Sequence, residues 1–266
     1  MTNHRPPVVF IHGLWLHATS WTNWLDMFTA EGYEPVAPGW PREAATVADA
    51  RNHADDVADI GIEVVADHYA ALIEALPRPP IVIGHSFGGL IAENLLARNL
   101  AVAGVAIDPA QMKGVLPLPL AQLKAGSPVL SNPANRKKAV SLTAKQFRFG
   151  FGNAVSEEES AELFERWTIP SPGRPLFEGA FANFTAHSPA AIDTGNESRG
   201  PLLLISGGKD HTVPDVVTRS SFKQYRHSAA VTELQQFPDR GHSLVIDSGW
   251  SEIAKSVLVW LAANGL

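Results

Sequence analysis

A single serine lies between two glycines at the end of an apolar run, in the segment IVIGHSFGGL at residues 81–90. The pentapeptide Gly84-His85-Ser86-Phe87-Gly88 has the spacing G-x-S-x-G. This spacing is typical of a sharp strand-to-helix turn that exposes a serine hydroxyl to a substrate. A glycine-rich turn with an incidental serine is the alternative. The apolar run directly before the motif favours a nucleophile at Ser86.

Two further segments supply the groups that such a serine needs. A hydroxyl is a weak nucleophile until a base accepts its proton, and His242 lies in FPDRGHSLV (237–245), after the last predicted strand. Asp210, in LLLISGGKDHTVP (202–214), follows the preceding predicted strand and is the expected acid partner of that histidine. Asp108, which ends VAGVAID (102–108), is the alternative acid, although its place before Pro109 also fits a structural cap. His211 is expected to be structural or exposed.

Acyl transfer also requires N–H groups directed at a developing oxyanion. The backbone N–H of Phe87 is one expected donor, because it comes directly after the serine. The N–H of Leu14 is the other, since Gly13 permits a tight turn after the first apolar run. His12 is expected to stabilise that turn. Five residues are expected to line the substrate pocket, and simple packing is the alternative for each of them: Trp15, Leu16, His17, Phe147 and Phe181.

These residues must be positioned by strands and helices. Six short apolar or β-branched runs are predicted strands, at residues 8–11, 33–38, 80–84, 102–108, 201–207 and 229–237. The first, third, fourth and fifth are apolar almost throughout, which is typical of parallel strands buried on both faces. Amphipathic helices are predicted between and after them, at residues 20–31, 61–76, 87–99 and 250–263. The alternation predicts an α/β fold with a doubly wound, mostly parallel sheet of about six strands.

Residues 111–198 interrupt this alternation with frequent Pro and Gly and several short helical patterns. A stretch of this length is too long for a plain loop. We therefore expect a core domain at residues 1–110 and 199–266 and a helical cap insertion at residues 111–198. Ser156, followed by three glutamates, predicts a helix start inside the insertion.

Composition limits the function classes. The chain has 266 residues, of which 45% are hydrophobic and 18% charged, and a formal net charge of −6. No basic run exceeds Arg136-Lys137-Lys138, so a nucleic-acid partner is not expected. The sequence contains no cysteine, which fits a reducing compartment, and neither a signal peptide nor a membrane span is expected. We expect a cytoplasmic protein without metal or organic cofactor, and the sequence leaves its oligomeric state open.

With these segments in place, the sequence resembles the α/β-hydrolase fold superfamily, and in particular its small bacterial serine carboxylesterases. The resemblance rests on FIHG, GHSFGG, GGKDHTVP and RGHS, in that order. It implies a Ser86–His242–Asp210 triad, with oxyanion donors at Leu14 and Phe87. Members of the superfamily usually carry two strands before the one that leads to HG, and these are expected to be absent here. Serine at position 86 disfavours relatives that use aspartate there, the dehalogenases and epoxide hydrolases.

The expected activity is hydrolysis of small to medium hydrophobic carboxylic esters through an acyl-enzyme. The same triad also serves hydrolysis of C–C bonds, lactones or amides, perhydrolysis and acyl transfer, so these reactions stay open. A ligand-binding or receptor protein of the same fold is a further alternative, from a different function class.

Overall fold

The apolar runs form a parallel sheet in the computed structural model, which describes residues 5–266. Residues 1–4 of the predicted core domain lie outside the described residues. The strands of the main sheet are β1 (Pro7–Ile11), β2 (Glu34–Val36), β3 (Ile81–His85), β4 (Ala103–Ile107), β7 (Leu202–Gly207) and β8 (Thr232–Phe237). A separate antiparallel pair consists of β5 (Ala139–Val140) and β6 (Ser171–Pro172). Within residues 5–266 the main sheet therefore has six strands, in the order β2-β1-β3-β4-β7-β8, and every neighbouring pair is parallel.

Burial along the strands follows the sequence pattern. The four strands predicted to be apolar throughout, β1, β3, β4 and β7, are buried at every residue. The two runs with mixed composition form the edge strands β2 and β8, in which no residue is fully buried. A parallel strand inside the sheet is covered on both faces, whereas an edge strand meets solvent. The predicted α/β fold with about six parallel strands is confirmed.

Ten α-helices flank the sheet or belong to the insertion in the described part of the chain. They are α1 (Thr22–Ala30), α2 (Val47–Asn52), α3 (Ile62–Glu74), α4 (Phe87–Ala97), α5 (Leu120–Leu130), α6 (Ala144–Gly150), α7 (Glu157–Trp167), α8 (Arg174–Ala180), α9 (Asp215–Gln224) and α10 (Trp250–Ala263). Short 3-10 turns occupy Ala18–Trp21, Ala54–Val57, Pro133–Lys137, Gly152–Ala154, Ala182–Phe184 and Tyr225–His227. Within residues 5–266, no helix has both the length and the apolar character needed to cross a bilayer.

The segment between β4 and β7 contains α5 to α8 and the small β5–β6 pair. Its helices begin at the residues that the sequence favours. The Ser156 hydroxyl accepts the Glu159 N–H at the start of α7, and Thr143 and Gln146 form a reciprocal capping box at the start of α6. Local capping therefore defines these helices, although none of them contributes to the main sheet.

Candidate active site

The strand order determines where a site can form. After β1 the chain continues to β2 on one side, whereas β3, β4, β7 and β8 follow on the other side. In open α/β sheets ligands bind at such a reversal, beyond the carboxyl ends of the two strands. Gly13 follows β1 and Ser86 follows β3, so both candidate segments emerge at this reversal point.

Ser86 is the turn residue between β3 and α4, and its backbone has φ 56° and ψ −121°. A non-glycine residue in this region is strained and persists only where its surroundings fix it. The Ser86 carbonyl accepts N–H groups from Gly89, Leu90 and Ala110, at 2.9, 3.2 and 2.9 Å. Its own N–H donates to the Ile107 carbonyl at 2.9 Å. These bonds hold the serine in the conformation that the G-x-S-x-G pattern predicts.

Glycine is required at Gly88 in this turn and at Gly13 in the turn after β1, because other atoms pass close to both positions. A Cβ atom at Gly88 would collide with the Ile11 and His12 carbonyl oxygens. A Cβ atom at Gly13 would lie 2.6 Å from the Ser86 Cβ and 3.3 Å from its Oγ. The hydroxyl of Ser86 therefore lies directly against the turn that follows β1.

Asp210 and His242 form a buried pair. The Asp210 Oδ2 lies 2.5 Å from the His242 Nδ1, and neither side chain reaches solvent. The other carboxylate oxygen, Oδ1, accepts the N–H groups of Thr212 and Val213 at 2.6 and 2.8 Å. Because the carboxylate is fixed by backbone donors, it can hold one tautomer of His242, with the proton on Nδ1 and a free lone pair on Nε2.

Asp108, the alternative acid, lies beside Asp210 and is not bonded to the histidine. Its Oδ1 accepts the Gly207 N–H at 2.6 Å. Burial, followed by the charge of the neighbouring Asp210, raises the pKa of Asp108 well above its ordinary range. The structure thus brings both candidate acids together, with Asp210 in contact with the imidazole.

Two aromatic rings enclose His242. The centre of the His85 ring, in the residue before Ser86, lies 4.5 Å from the centre of the His242 ring. The Phe151 ring packs edge-to-face against His242, with 4.7 Å between the ring centres. Burial and then the proximity of His242 hold the pKa of His85 well below its ordinary value, so His85 is neutral and adds no positive charge. Neither contact could be predicted from the sequence, since both depend on tertiary packing.

Ser86 directly follows His85, whose ring contacts His242, but the Ser86 hydroxyl and His242 do not form a hydrogen bond. Within residues 5–266, the His242 Nε2 has no hydrogen-bond partner. Catalytic hydrogen bonds are often long before substrate binds and shorten in the complex. The two predicted oxyanion donors are also uncommitted, because across the described part of the chain neither Leu14 nor Phe87 donates its backbone N–H to a protein acceptor.

The loop after β1 is attached to the insertion. Trp15 has a left-handed backbone with φ 64°, its N–H donates to the Ser171 hydroxyl at 2.6 Å, and its indole Nε1 donates to the Val140 carbonyl at 2.9 Å. The Trp15 carbonyl accepts the Ile169 N–H at 3.1 Å. The position of the Leu14 N–H therefore depends on contacts between the core and the insertion.

A second buried histidine–carboxylate pair lies behind the same loop. The His12 Nε2 lies 2.9 Å from Glu43 Oε2, while Nδ1 lies 2.8 Å from the Gly13 carbonyl. Both ring nitrogens face oxygen atoms, so the ring needs a proton on each. Burial lowers the pKa of His12, but the Glu43 carboxylate and the Gly13 carbonyl outweigh burial and raise it above the ordinary 6.5. Burial raises the pKa of Glu43, and His12 reverses this effect and lowers it below 4.5.

A cavity opens over Ser86 and is lined by Trp15 and Phe87 on the core side. The insertion contributes mainly apolar residues from and around α5 and α8: Leu118, Gln122, Leu123, Gly126, Leu130, Leu176, Gly179 and Ala180. No residue of its wall carries a formal charge. Of the five residues expected to line the pocket, Trp15 lines the cavity. The other four do not: Leu16 and Phe147 are buried elsewhere, His17 bonds to Thr19 and the Ala44 carbonyl, and Phe181 is exposed.

One group of side chains offers metal-ligand atoms. The donor atoms of His85, Asp108 and His242 lie within 4.8 Å of one another. We assign these groups to the surroundings of the Asp210–His242 pair, because all three are completely buried and Asp108 already accepts the Gly207 N–H.

The sequence pattern of the alpha/beta hydrolase family matches residues 8–255. The chain belongs to the alpha/beta hydrolase family. No curated protein matches the sequence.

Several solved structures share this alpha/beta hydrolase fold. A methylesterase, MES16 from Arabidopsis, is 15% identical with a TM-score of 0.68, over 97% of this chain and 99% of that one. A monoacylglycerol lipase from Paleococcus ferrophilus is 19% identical with a TM-score of 0.66, over 98% and 96%. A pyrethroid hydrolase from Sphingobium faniae is 15% identical with a TM-score of 0.64, over 97% and 98%. At such identities the likeness concerns the fold.

The His12–Glu43 pair predicts a specific pH dependence of stability. The pKa of His12 is higher in the folded protein than in the unfolded chain. The pair therefore stabilises the folded protein fully below pH 6.5, and this stabilisation is lost as the pH rises through the pKa of the folded state. A lowered folded pKa of Glu43 stabilises it above pH 4.5. We expect the loss of unfolding free energy in Glu43→Gln, measured by urea titration, to be largest between these two pH values and smaller at alkaline pH.

Asp67→Asn is the matched control, because it breaks a solvent-exposed pair with Arg98, and such exposed pairs contribute little to stability. Its effect should be small and independent of pH. An effect of Glu43→Gln that is equal at weakly acidic and alkaline pH would contradict the assignment of the charged pair.

Proposed function

We propose that the protein is a serine hydrolase that cleaves carboxylic esters of small to medium hydrophobic molecules. Ser86 is the nucleophile, His242 the general base and Asp210 the acid that orients it. The observation that carries the proposal is the buried 2.5 Å contact between Asp210 and His242, whose imidazole contacts the ring of the residue before a serine held at φ 56°. A merely structural serine has no need of this strained turn.

The reaction follows from these positions. The Ser86 Oγ attacks the ester carbonyl carbon while His242 Nε2 accepts the hydroxyl proton. The backbone N–H groups of Leu14 and Phe87 stabilise the oxyanion. The imidazolium then donates its proton to the departing alcohol oxygen, which leaves an acyl-serine. Water attacks this acyl group with His242 again as base, which releases the acid and restores Ser86.

The cavity supports the choice of substrate. Its wall is mostly apolar and carries no formal charge, so a charged substrate would lose hydration there without gaining a partner. The methylesterase and monoacylglycerol lipase of similar fold have names that refer to ester substrates. We further propose that residues 111–198 act as a cap over Ser86, and that the protein works in the cytoplasm, as its lack of cysteine fits.

The serine is tested by turnover and by labelling. We expect the protein to hydrolyse p-nitrophenyl acetate or butyrate and to be modified by an organophosphonate at Ser86, as detected by mass spectrometry. Ser86→Ala should lower kcat by at least about 10³ without loss of folding, because the nucleophile is absent. Ser256→Ala, on α10, should behave like the unmodified protein. Absence of both turnover and labelling across a range of esters would refute the proposal.

A second pair of variants distinguishes the two carboxyl groups. Asp210→Asn should lower kcat by about 10⁴, since an amide no longer holds the histidine in its working tautomer. Asp108→Asn should change kcat by less than about tenfold, because the amide keeps an acceptor for Gly207 and a donor toward Asp210. Circular dichroism checks that both variants fold. The reverse ranking of the two variants would assign the acid to Asp108.

A further inference from the structure

The charges of this acidic protein are unevenly distributed along the chain. Between Asp108 and Glu157 the sequence contains no acidic residue, although it contains seven lysines and arginines, and the whole chain has a net charge of −6. This stretch includes α5 and the 3-10 turn Pro133–Lys137, which pack against each other. The insertion therefore has a basic portion whose sign is opposite to that of the protein as a whole.

The same portion exposes large apolar side chains. Leu116, Leu120 and Phe184 are 79%, 84% and 87% exposed. We call the following six exposed residues the apolar rim: Leu116, Leu118, Leu120, Leu123, Phe181 and Phe184. Isolated apolar residues are common on protein surfaces, but a cluster of this kind marks an interaction site.

Hydrogen bonds bring the two segments of the rim together. Asn183, between the two phenylalanines, accepts the Gly114 N–H at 2.6 Å and donates to the Val115 carbonyl at 2.8 Å. The Lys113 Nζ donates to the Thr185 carbonyl at 2.7 Å. The leucine segment and the phenylalanine segment are thus neighbours, although more than sixty residues separate them in the sequence.

The exposed face of α5 continues the rim. Leu123 and Lys124 come three and four residues after Leu120, so both lie on the same face of the helix as Leu120. All three residues are exposed. On most helices this outward face is polar. Here it presents two leucines and a lysine.

The rim borders the cavity. Leu118 and Leu123 belong both to the rim and to the cavity wall that contains Ser86. Gly179 and Ala180, directly before Phe181, line the same wall. A hydrophobic molecule entering the cavity therefore passes the rim.

Unpaired cations occupy the exposed face of α5 and the turn that packs on its C-terminal end. Lys124, Arg136, Lys137 and Lys138 are exposed, and none of them forms an ion pair with any group in residues 5–266. The Lys124 Nζ lies 4.0 Å from the centre of the Phe149 ring. The acidic helix α7 packs against α6, where Glu158 faces Arg148, so Arg148 is not counted among these cations.

We propose that the apolar rim and these cations dock the protein on an anionic lipid surface, so that hydrophobic esters reach Ser86 from the lipid. The leucines and phenylalanines enter the interfacial layer, and the cations bind anionic headgroups. A second copy of the chain fits this surface less well, because a two-fold interface would place the cations of one copy against those of the other. The supply of ester substrate rests on the proposed function, whereas docking itself does not require Ser86.

Vesicle sedimentation with the full chain tests the docking. The probes are vesicles of phosphatidylcholine alone and vesicles that also contain about one third phosphatidylglycerol. We expect the unmodified protein and Ser86→Ala to bind the anionic vesicles at least about tenfold more tightly than the neutral ones. The double variants Leu116→Ser/Leu120→Ser and Lys137→Glu/Lys138→Glu should each weaken binding to the anionic vesicles by at least about fivefold.

The matched control is Val64→Ser/Val259→Ser, which removes two exposed apolar side chains on α3 and α10. It should bind like the unmodified protein. Equal binding to both kinds of vesicle, or equal losses in the control and leucine variants, would overturn the proposal. So would a dimer in sedimentation equilibrium that the leucine variants dissociate, since the occupant would then be a second copy. Loss of ester turnover with retained vesicle binding would refute the proposed function and leave docking intact.

Discussion

The site depends on the strained backbone of one residue. Ser86 is held at φ 56° by one bond from its N–H and three to its carbonyl, and a non-glycine residue in such a region costs about 1–3 kcal/mol. The partners of these bonds belong to β4, α4 and the turn after β4. Only a chain that has already assembled its central strands can supply them. Formation of the sheet and exposure of the hydroxyl are therefore coupled.

The remaining groups are positioned by the same sheet. Asp108, Asp210 and His242 each follow a different strand, and the parallel arrangement brings these strand ends to one edge. The resulting centre is dry: His242 has no exposed surface and is enclosed by His85 and Phe151. In such an environment the Asp210–His242 interaction is stronger than in water, and a second carboxyl group can persist only if it is neutral. Burial and the charge of Asp210 shift the pKa of Asp108 in this direction.

The sequence predicted the fold well because burial determines which residues a strand can contain. The apolar runs 8–11 and 80–84 became inner strands, and the mixed runs 33–38 and 229–237 became edge strands. The candidate residues Ser86, Asp210 and His242 could be nominated from the sequence because each follows a recognisable strand. The neighbours of His242 were not predictable, since the contact with Phe151 depends on how the insertion folds back. The pocket residues were the weakest prediction for the same reason, as Phe147 and Phe181 show.

The insertion has two different surfaces. Its inner surface lines the cavity that contains Ser86 and is mostly apolar, and residues 169–171 fix the loop that carries Leu14. Its outer surface exposes leucines, phenylalanines and cations that the core does not use. We assign the inner surface to the proposed catalysis and the outer surface to the access of substrate. The same segment thereby connects the geometry of the proposed oxyanion site with the route to it.

The most direct test of the central claim is a crystal structure of the protein after reaction with an organophosphonate. The account predicts a bond between phosphorus and the Ser86 Oγ. It also predicts a phosphoryl oxygen about 2.7–3.1 Å from the backbone nitrogens of both Leu14 and Phe87, and His242 Nε2 within hydrogen-bond distance of Oγ. A phosphorus atom on another residue, or an adduct on Ser86 whose oxygen points away from both N–H groups, would contradict it.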